Sequence, residues 1–159
     1  MLGNMMQDQL LISGVLEHAI KTHPQTEIVS HTIEGEIHRY SLEDSSKRAK
    51  KLANALKKLE IKEGDVLGTI ALNGYRHYEL YFGISGIGAV LHTLNPRLFP
   101  AQVEYIVNHA EDKYIFVDLP FLPIVENVYD NIDVEAATKN GIAVFNTPNL
   151  MNHAVADLT

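Results

Sequence analysis

Val66-Leu67-Gly68-Thr69-Ile70-Ala71-Leu72, then Asn73-Gly74, then Tyr75-Arg76-His77-Tyr78-Glu79-Leu80-Tyr81-Phe82-Gly83-Ile84-Ser85-Gly86-Ile87-Gly88, then Ala89-Val90-Leu91-His92-Thr93: this stretch decides the fold. Residues 66–72 are apolar on both faces of an extended strand, the pattern of a strand covered from both sides in a parallel sheet. Residues 75–88 place apolar side chains at helical spacing, and residues 89–93 return to a short apolar strand. Strand, helix and strand in that order predict a right-handed crossover. Pro96 and Pro100 bracket a loop, and Pro100 suits the first turn of a helix running to about Ala110. Tyr114–Val117 supplies a third strand. The fold class is therefore α/β, a mostly parallel sheet flanked by helices.

Upstream of this core, Gln9–Thr22 reads as a helix stopped by Pro24. Glu27–Thr32 and Glu36–Tyr40 read as strands of a hairpin turning on Glu34-Gly35. Ser41 is a good N-cap and Asp44 gives a weak capping box for a helix over Leu42–Leu59. Its apolar face carries Leu42, Ala49, Leu52, Ala53, Leu56 and Leu59, and its other face Lys47, Arg48, Lys50, Lys51, Lys57 and Lys58. Downstream, Leu119–Val125 is a proline-punctuated apolar segment. A short helix (Val134–Asn140), a strand (Ile142–Phe145) and the start of a helix (Asn149–Thr159) follow. Residues 1–126 carry 12 basic and 16 acidic side chains and residues 127–159 carry 1 and 4, so the texture changes near residue 126.

A length of 159 residues supports one domain, or one domain with a short appendage. An apolar content of 46% is enough for a core, and a net charge of −7 argues against a broadly basic nucleic-acid binder. The absence of cysteine excludes disulfides, thiolate metal sites and a cysteine nucleophile. No export signal is read from Met1-Leu2-Gly3-Asn4-Met5-Met6-Gln7-Asp8. The charge-free run Leu80–Pro96 holds three glycines, His92 and Asn95, and is too short and too polar for an integral membrane segment. The expected location is cytoplasmic.

The candidate chemistry is sparse. Gly83, Gly86 and Gly88 stand in the order G-x-x-G-x-G inside a helical run, which fits close helix packing and not a dinucleotide turn. With a turn on Glu34-Gly35, His31 would face His38 across the hairpin and could share a divalent ion. Glu36 lies on the opposite face and no third ligand is evident, so a solvent-facing pair is the favoured reading. The basic face of the 42–59 helix is read as solvated, with Glu43, Asp44 and Glu60 diluting it. Tyr75, Tyr78, Tyr81 and Phe82 form a stripe read as core packing. His77 and Glu79 point apart on a helix, and Ser41 and Ser85 have no base partner. No catalytic, cofactor-binding or metal residue is assigned.

Several strings follow one another over more than a hundred residues: Glu36-Ile37-His38-Arg39-Tyr40-Ser41, Leu52-Ala53-Asn54-Ala55-Leu56, Gly64-Asp65, Asn73-Gly74-Tyr75-Arg76-His77, Tyr81 to Val90, and Leu94-Asn95-Pro96-Arg97-Leu98. In them residues from about 10 to 125 resemble the N-terminal part of the adenylate-forming acyl-CoA synthetases, especially the fatty-acid–CoA ligases. The resemblance implies a partial N-terminal layer of that fold: helix and hairpin, then βαβ units. It also implies a parent activity that uses ATP, Mg²⁺ and coenzyme A to turn a carboxylate into an acyl-adenylate and then a thioester. The Ser/Thr/Gly-rich phosphate loop, the aromatic adenine segment, the ribose-binding Asp and the late catalytic Lys of that family have no counterpart among these residues. The resemblance therefore implies a catalytically incomplete chain with no cofactor of its own.

Tyr129-Asp130-Asn131-Ile132-Asp133-Val134-Glu135-Ala136-Ala137-Thr138-Lys139-Asn140-Gly141-Ile142-Ala143-Val144, then Asn146-Thr147-Pro148 and Ala154-Val155-Ala156-Asp157-Leu158, resemble a different family, the D-isomer-specific 2-hydroxyacid dehydrogenases. Glu126-Asn127-Val128 replaces the glycine-containing carboxylate loop expected before Tyr-Asp-Asn, and His153 stands where an acidic residue is common. No NAD-dependent activity is implied. The expected organisation is a truncated synthetase-like subdomain at 1–126 and a dehydrogenase-like βα tail at 127–159. Expected partners are a second copy of the chain or a full-length synthetase, whose missing half would cover exposed apolar surface.

Overall fold

The computed structural model describes residues 9–126 and 142–146. Along the chain, α1 (Ile12–Thr22) leads to a hairpin of β1 (Glu27–His31) and β2 (Ile37–Ser41), then to α2 (Leu42–Lys58). The sequence continues with β3 (Val66–Ile70), α3 (Tyr75–Ser85), β4 (Val90–Thr93), α4 (Pro100–Ala110) and β5 (Tyr114–Asp118). A 3₁₀ turn (Leu119–Phe121) runs into α5 (Leu122–Glu126), and β6 (Ile142–Asn146) closes the described elements. The helices expected at 134–140 and 149–159 lie outside the described residues.

The main sheet has the order β4-β3-β5-β6. The first three strands are parallel, with Gly68 opposite both His92 and Ile115. β6 is antiparallel to β5, from Tyr114 opposite Asn146 to Asp118 opposite Ile142. The chain goes from β3 to one side of the sheet and then returns across it to β5, so its two crossovers load opposite faces. On one face Leu67 and Phe116 pack with Leu52, Leu56, Leu80 and Ile84 of α2 and α3. On the other, Ile70, Ile115 and Val117 pack with Val103 and Val107 of α4 and with Leu122 and Val125 of α5. The two-faced apolar pattern of 66–72 has this as its cause.

Local chemistry sets the element ends. The Ser41 hydroxyl oxygen accepts the Asp44 N–H at 3.1 Å, and the Asp44 carboxylate accepts the Ser41 N–H at 3.4 Å, completing the capping box of α2. α3 ends at Ser85, three residues before the expected Gly88, because Gly88 takes φ +79 and turns the chain into β4. Gly83 packs against α2, where a Cβ would stand 2.8 Å from Leu52 Cδ2. The glycine run therefore serves helix contact and helix termination. Tyr75, Tyr78 and Phe82 are half-buried and Tyr81 is 41% exposed, so the aromatic stripe borders the core instead of forming it. Leu80, Gly83 and Ile84 are the buried positions, together with His77 and Glu79.

The hairpin register differs from the expected one by one residue. His31 stands opposite Ile37 and His38 opposite Ser30. The Gly35 N–H donates to the Thr32 carbonyl at 3.1 Å and Gly35 has φ +93, while the Thr32 N–H reaches the Glu36 carbonyl at 2.8 Å. That is a turn followed by a left-handed glycine, the longer hairpin connection, and not a two-residue turn. A shift of one residue moves a side chain to the other face, so His31 and His38 part company. Among the described residues no three metal-binding side chains gather. Added zinc is accordingly expected to leave the melting temperature unchanged, as followed by circular dichroism.

Candidate functional site

In open parallel sheets, ligands gather outside the carboxyl ends of the strands, where neighbouring connections diverge. Here that place is the end of β3 and β5 against the start of α3. The Leu72 N–H donates to Asp118 Oδ2 at 2.8 Å. His77 Nε2 lies 3.0 Å from Thr69 Oγ1, and Arg76 Nη2 lies 3.0 Å from Glu34 Oε1 at the hairpin tip. Burial lowers the His77 pKa, which favours the neutral ring, and burial raises that of Asp118 against the opposing Leu72 bond. The cleft that Leu72, Arg76, His77 and Asp118 line with His31, Thr32, Gly74 and Tyr75 holds about 20 Å³, room for one water. His77, Arg76 and Asp118 are each already engaged. The arrangement ties the hairpin and α3 to the sheet end.

Behind it sits a polar and aromatic knot between β2, α2 and α3. Arg48 Nε lies 2.6 Å from Glu79 Oε1, with the Glu79 side chain 7% exposed and that of Arg48 46% exposed. The His38 ring stacks on Tyr75 at 3.8 Å, Tyr40 meets His38 edge-on at 4.8 Å, and the guanidinium of Arg48 stands 5.6 Å from the Tyr75 centroid. Burial and the neighbouring Glu79 push the Tyr40 hydroxyl pKa far up. Arg48 was read as part of the solvated basic face. It stays almost half exposed but turns its Nε onto Glu79, because a buried carboxylate needs a cation. Lys50, Lys51, Lys57 and Lys58 remain exposed, and Lys47 pairs with Glu43 at 2.9 Å.

A third cluster lies on the α4 side of the sheet. His92 Nδ1 is 2.9 Å from both carboxylate oxygens of Asp112, which is fully buried. Burial raises the Asp112 carboxyl pKa and the bond to His92 opposes it. Gly68 makes the room, since a Cβ there would stand 3.0 Å from Asp112 Oδ2.

At the other end of β3, Asp65 Oδ2 accepts from Lys113 Nζ at 2.8 Å and from the Lys62 N–H at 2.7 Å. Burial pushes this carboxyl up, but these partners outweigh it and hold its pKa below the ordinary 3.8. A carboxyl held low contributes stability above its unfolded value, and the contribution is lost as pH falls through the folded value. The stability gap between wild type and Asp65→Asn, open at neutral pH, should therefore close by about pH 2 in urea titrations.

Of the positions singled out from the sequence, Ser41 caps α2, and His77 and Glu79 go to different partners, Thr69 and Arg48. No nucleophile–base pair forms from them. The pairs His92–Asp112, Arg48–Glu79 and Leu72–Asp118 were not read from the sequence. The one available signal was polar residues inside apolar runs, as at His92.

Comparison with known proteins agrees with this scaffold. Residues 16–153 match the family described as AMP-binding enzyme, a match that runs past residue 127. The chain is 46% identical over 132 residues to a 3-methylmercaptopropionyl-CoA ligase of Ruegeria lacuscaerulensis, covering 83% of this chain and 24% of that protein. It is 45% identical over 132 residues to a medium-chain-fatty-acid–CoA ligase of Ectopseudomonas oleovorans, with the same coverage of 83% and 24%. The chain thus spans about a quarter of the length of the curated relatives it matches. Among solved structures, the N-terminal domain of FACL13 from Mycobacterium tuberculosis superposes with a TM-score of 0.70 at 21% identity, over 79% of this chain and 31% of that one. The anthranilate CoA ligase AuaEII, solved with anthranoyl-AMP, gives a TM-score of 0.65 at 25% identity, over 73% of this chain and 22% of that one. With the family match covering most of its length and a partial N-terminal adenylate-forming layer as its fold, this chain belongs to the AMP-binding enzymes.

Proposed function

We propose that residues 16–126 form the N-terminal scaffold of a fatty-acid–CoA ligase, and that the 159 residues do not catalyse adenylation by themselves. The observation that carries the ligase reading is the 46% and 45% identity to two acid–CoA ligases over 132 residues. The inactivity reading rests on two features. No Ser/Thr/Gly-rich phosphate loop occurs in the sequence, and the cleft at the sheet end admits only a water. Such loops and their charge-stabilising groups supply most of the rate in anhydride chemistry. ATP, Mg²⁺ and coenzyme A then belong to the parent reaction, and a cytoplasmic location follows from the same reading.

The test is a graft. Residues 16–126 replace the matching segment of the Ectopseudomonas oleovorans ligase, and ATP–pyrophosphate exchange is followed with a medium-chain acid. We expect exchange within about tenfold of the unaltered ligase, and none above background from the 159-residue chain. A graft that folds with a cooperative melt yet shows no exchange sinks the scaffold reading. Exchange by the chain alone sinks the inactivity reading.

A second reading is a non-catalytic module that pairs with itself or with a full-length synthetase. It is supported by the exposed apolar side chains Leu11, Ile12 and Val15 at and just before the start of α1. A monomeric scattering mass together with no co-purifying synthetase would remove it. For residues 128–159, derivation from a 2-hydroxyacid dehydrogenase is supported by the residue string alone.

A further inference from the structure

Among the described residues, His92 is the histidine backed by a carboxylate, and the backing is built in. Asp112 is fully buried, both its oxygens lie 2.9 Å from Nδ1, and Gly68 leaves the space in which they sit. In the neutral ring a carboxylate on Nδ1 holds the proton there, and the Nε2 lone pair is then the free one. Nε2 has no hydrogen-bond partner among the described residues, and the side chain is 25% exposed. By contrast, His77 and His38 are occupied: His77 Nε2 meets Thr69, and His38 is stacked beneath Tyr75 with a buried Nε2. His31 binds its neighbour's carbonyl through Nδ1, an acceptor that carries no charge.

We propose that His92 is a reactive imidazole that accepts an activated acyl group of the mixed-anhydride class, with Asp112 as its positioning residue. The Nε2 lone pair attacks the acyl carbon and a C–N bond forms. The C–O bond to phosphate breaks, and the phosphate leaves with that electron pair. The ring gains a positive charge, which the Asp112 carboxylate balances while the proton stays on Nδ1. Water then cleaves the C–N bond, giving the free acid and a proton. The natural donor, an acyl-adenylate, rests on the ligase reading above. The reactivity of the side chain does not.

The experiment supplies the anhydride ready-made, so it is independent of adenylation by this chain. The full chain is treated with diethylpyrocarbonate, and in parallel with a synthetic acyl-adenylate, and each histidine is followed by peptide mass spectrometry. His92 should be modified by both reagents faster than the exposed His18, His23, His31 and His109, despite its lower exposure. In Asp112→Asn its rate should fall roughly tenfold relative to those same histidines, the size of effect expected for an orienting carboxylate. A His92 that is no faster than the exposed set in the wild-type chain overturns the proposal, whether or not the variant folds. Labelling by diethylpyrocarbonate with none from the acyl-adenylate overturns the acyl-acceptor assignment. An Asp112→Asn chain that keeps its circular dichroism and its full His92 rate overturns the role of Asp112.

Discussion

Replacing Arg48 by alanine should destabilise the fold by about 3 kcal/mol, read as a lower urea midpoint at unchanged slope. The variant strands the Glu79 carboxylate, 7% exposed, without the guanidinium that lies 2.6 Å from it. Removing one partner of a fully buried pair costs roughly 3–5 kcal/mol. Arg48 is itself almost half exposed, so water can reach part of the gap and the lower end applies. The pair also clamps α2 to α3 beside Tyr75, so packing is lost along with charge. Removing both charges together, as in Arg48→Met with Glu79→Leu, should recover most of the loss. A single variant within about 0.5 kcal/mol of wild type would show that Glu79 is solvated after all.

Gly68→Val should cost a similar amount, about 3 kcal/mol, and lower the melting temperature by roughly 10 °C. The first added carbon meets Asp112 Oδ2 at 3.0 Å, Ile115 Cγ1 at 3.1 Å and Leu94 Cδ1 at 3.2 Å. Ile115 and Leu94 are buried in the α4-side core, and Asp112 is fixed to His92. Relief must therefore come from pushing a charged oxygen away from its imidazole or from shifting two core side chains. Gly68→Ala, with one carbon in the same place, should lose less, because a few tenths of an ångström of movement would suffice. Equal melts for Gly68→Val and wild type would mean that the sheet gives way more freely than its burial suggests.

The parallel core was legible because its signals are local and redundant. Two-faced apolar strands, helical spacing and Pro100 at the start of α4 all point the same way. What failed depended on single dihedral angles or on distant partners. The hairpin register turned on whether one or both turn residues adopt φ > 0. Glu34 tolerates that poorly and Gly35 alone adopts it, so the pairing slipped by one residue and dissolved the His31–His38 idea. The segment 119–125 was read only as apolar and proline-punctuated. It is a 3₁₀ turn and a short helix, because Pro120 sits where its missing N–H costs nothing. The clusters that shape the site could not be seen from spacing at all. Arg48 finds Glu79 on another helix, Leu72 just past β3 finds Asp118 at the end of β5, and His92 finds Asp112 across a helix. No periodicity encodes such meetings; only the wound sheet brings them together.

The position of β3 at the centre of that sheet has a cost in time. Leu67 pairs with Leu91 on one side and with Tyr114 on the other. A ribosome extending the chain at roughly 5–20 residues per second therefore leaves the central strand without its second neighbour for several seconds. During that interval an apolar ribbon with an open edge faces solvent, able to pair with any similar ribbon on a nearby nascent chain. Crowding on polysomes, and the supply of chaperones that bind extended apolar segments, would then set how much of this protein reaches its native state.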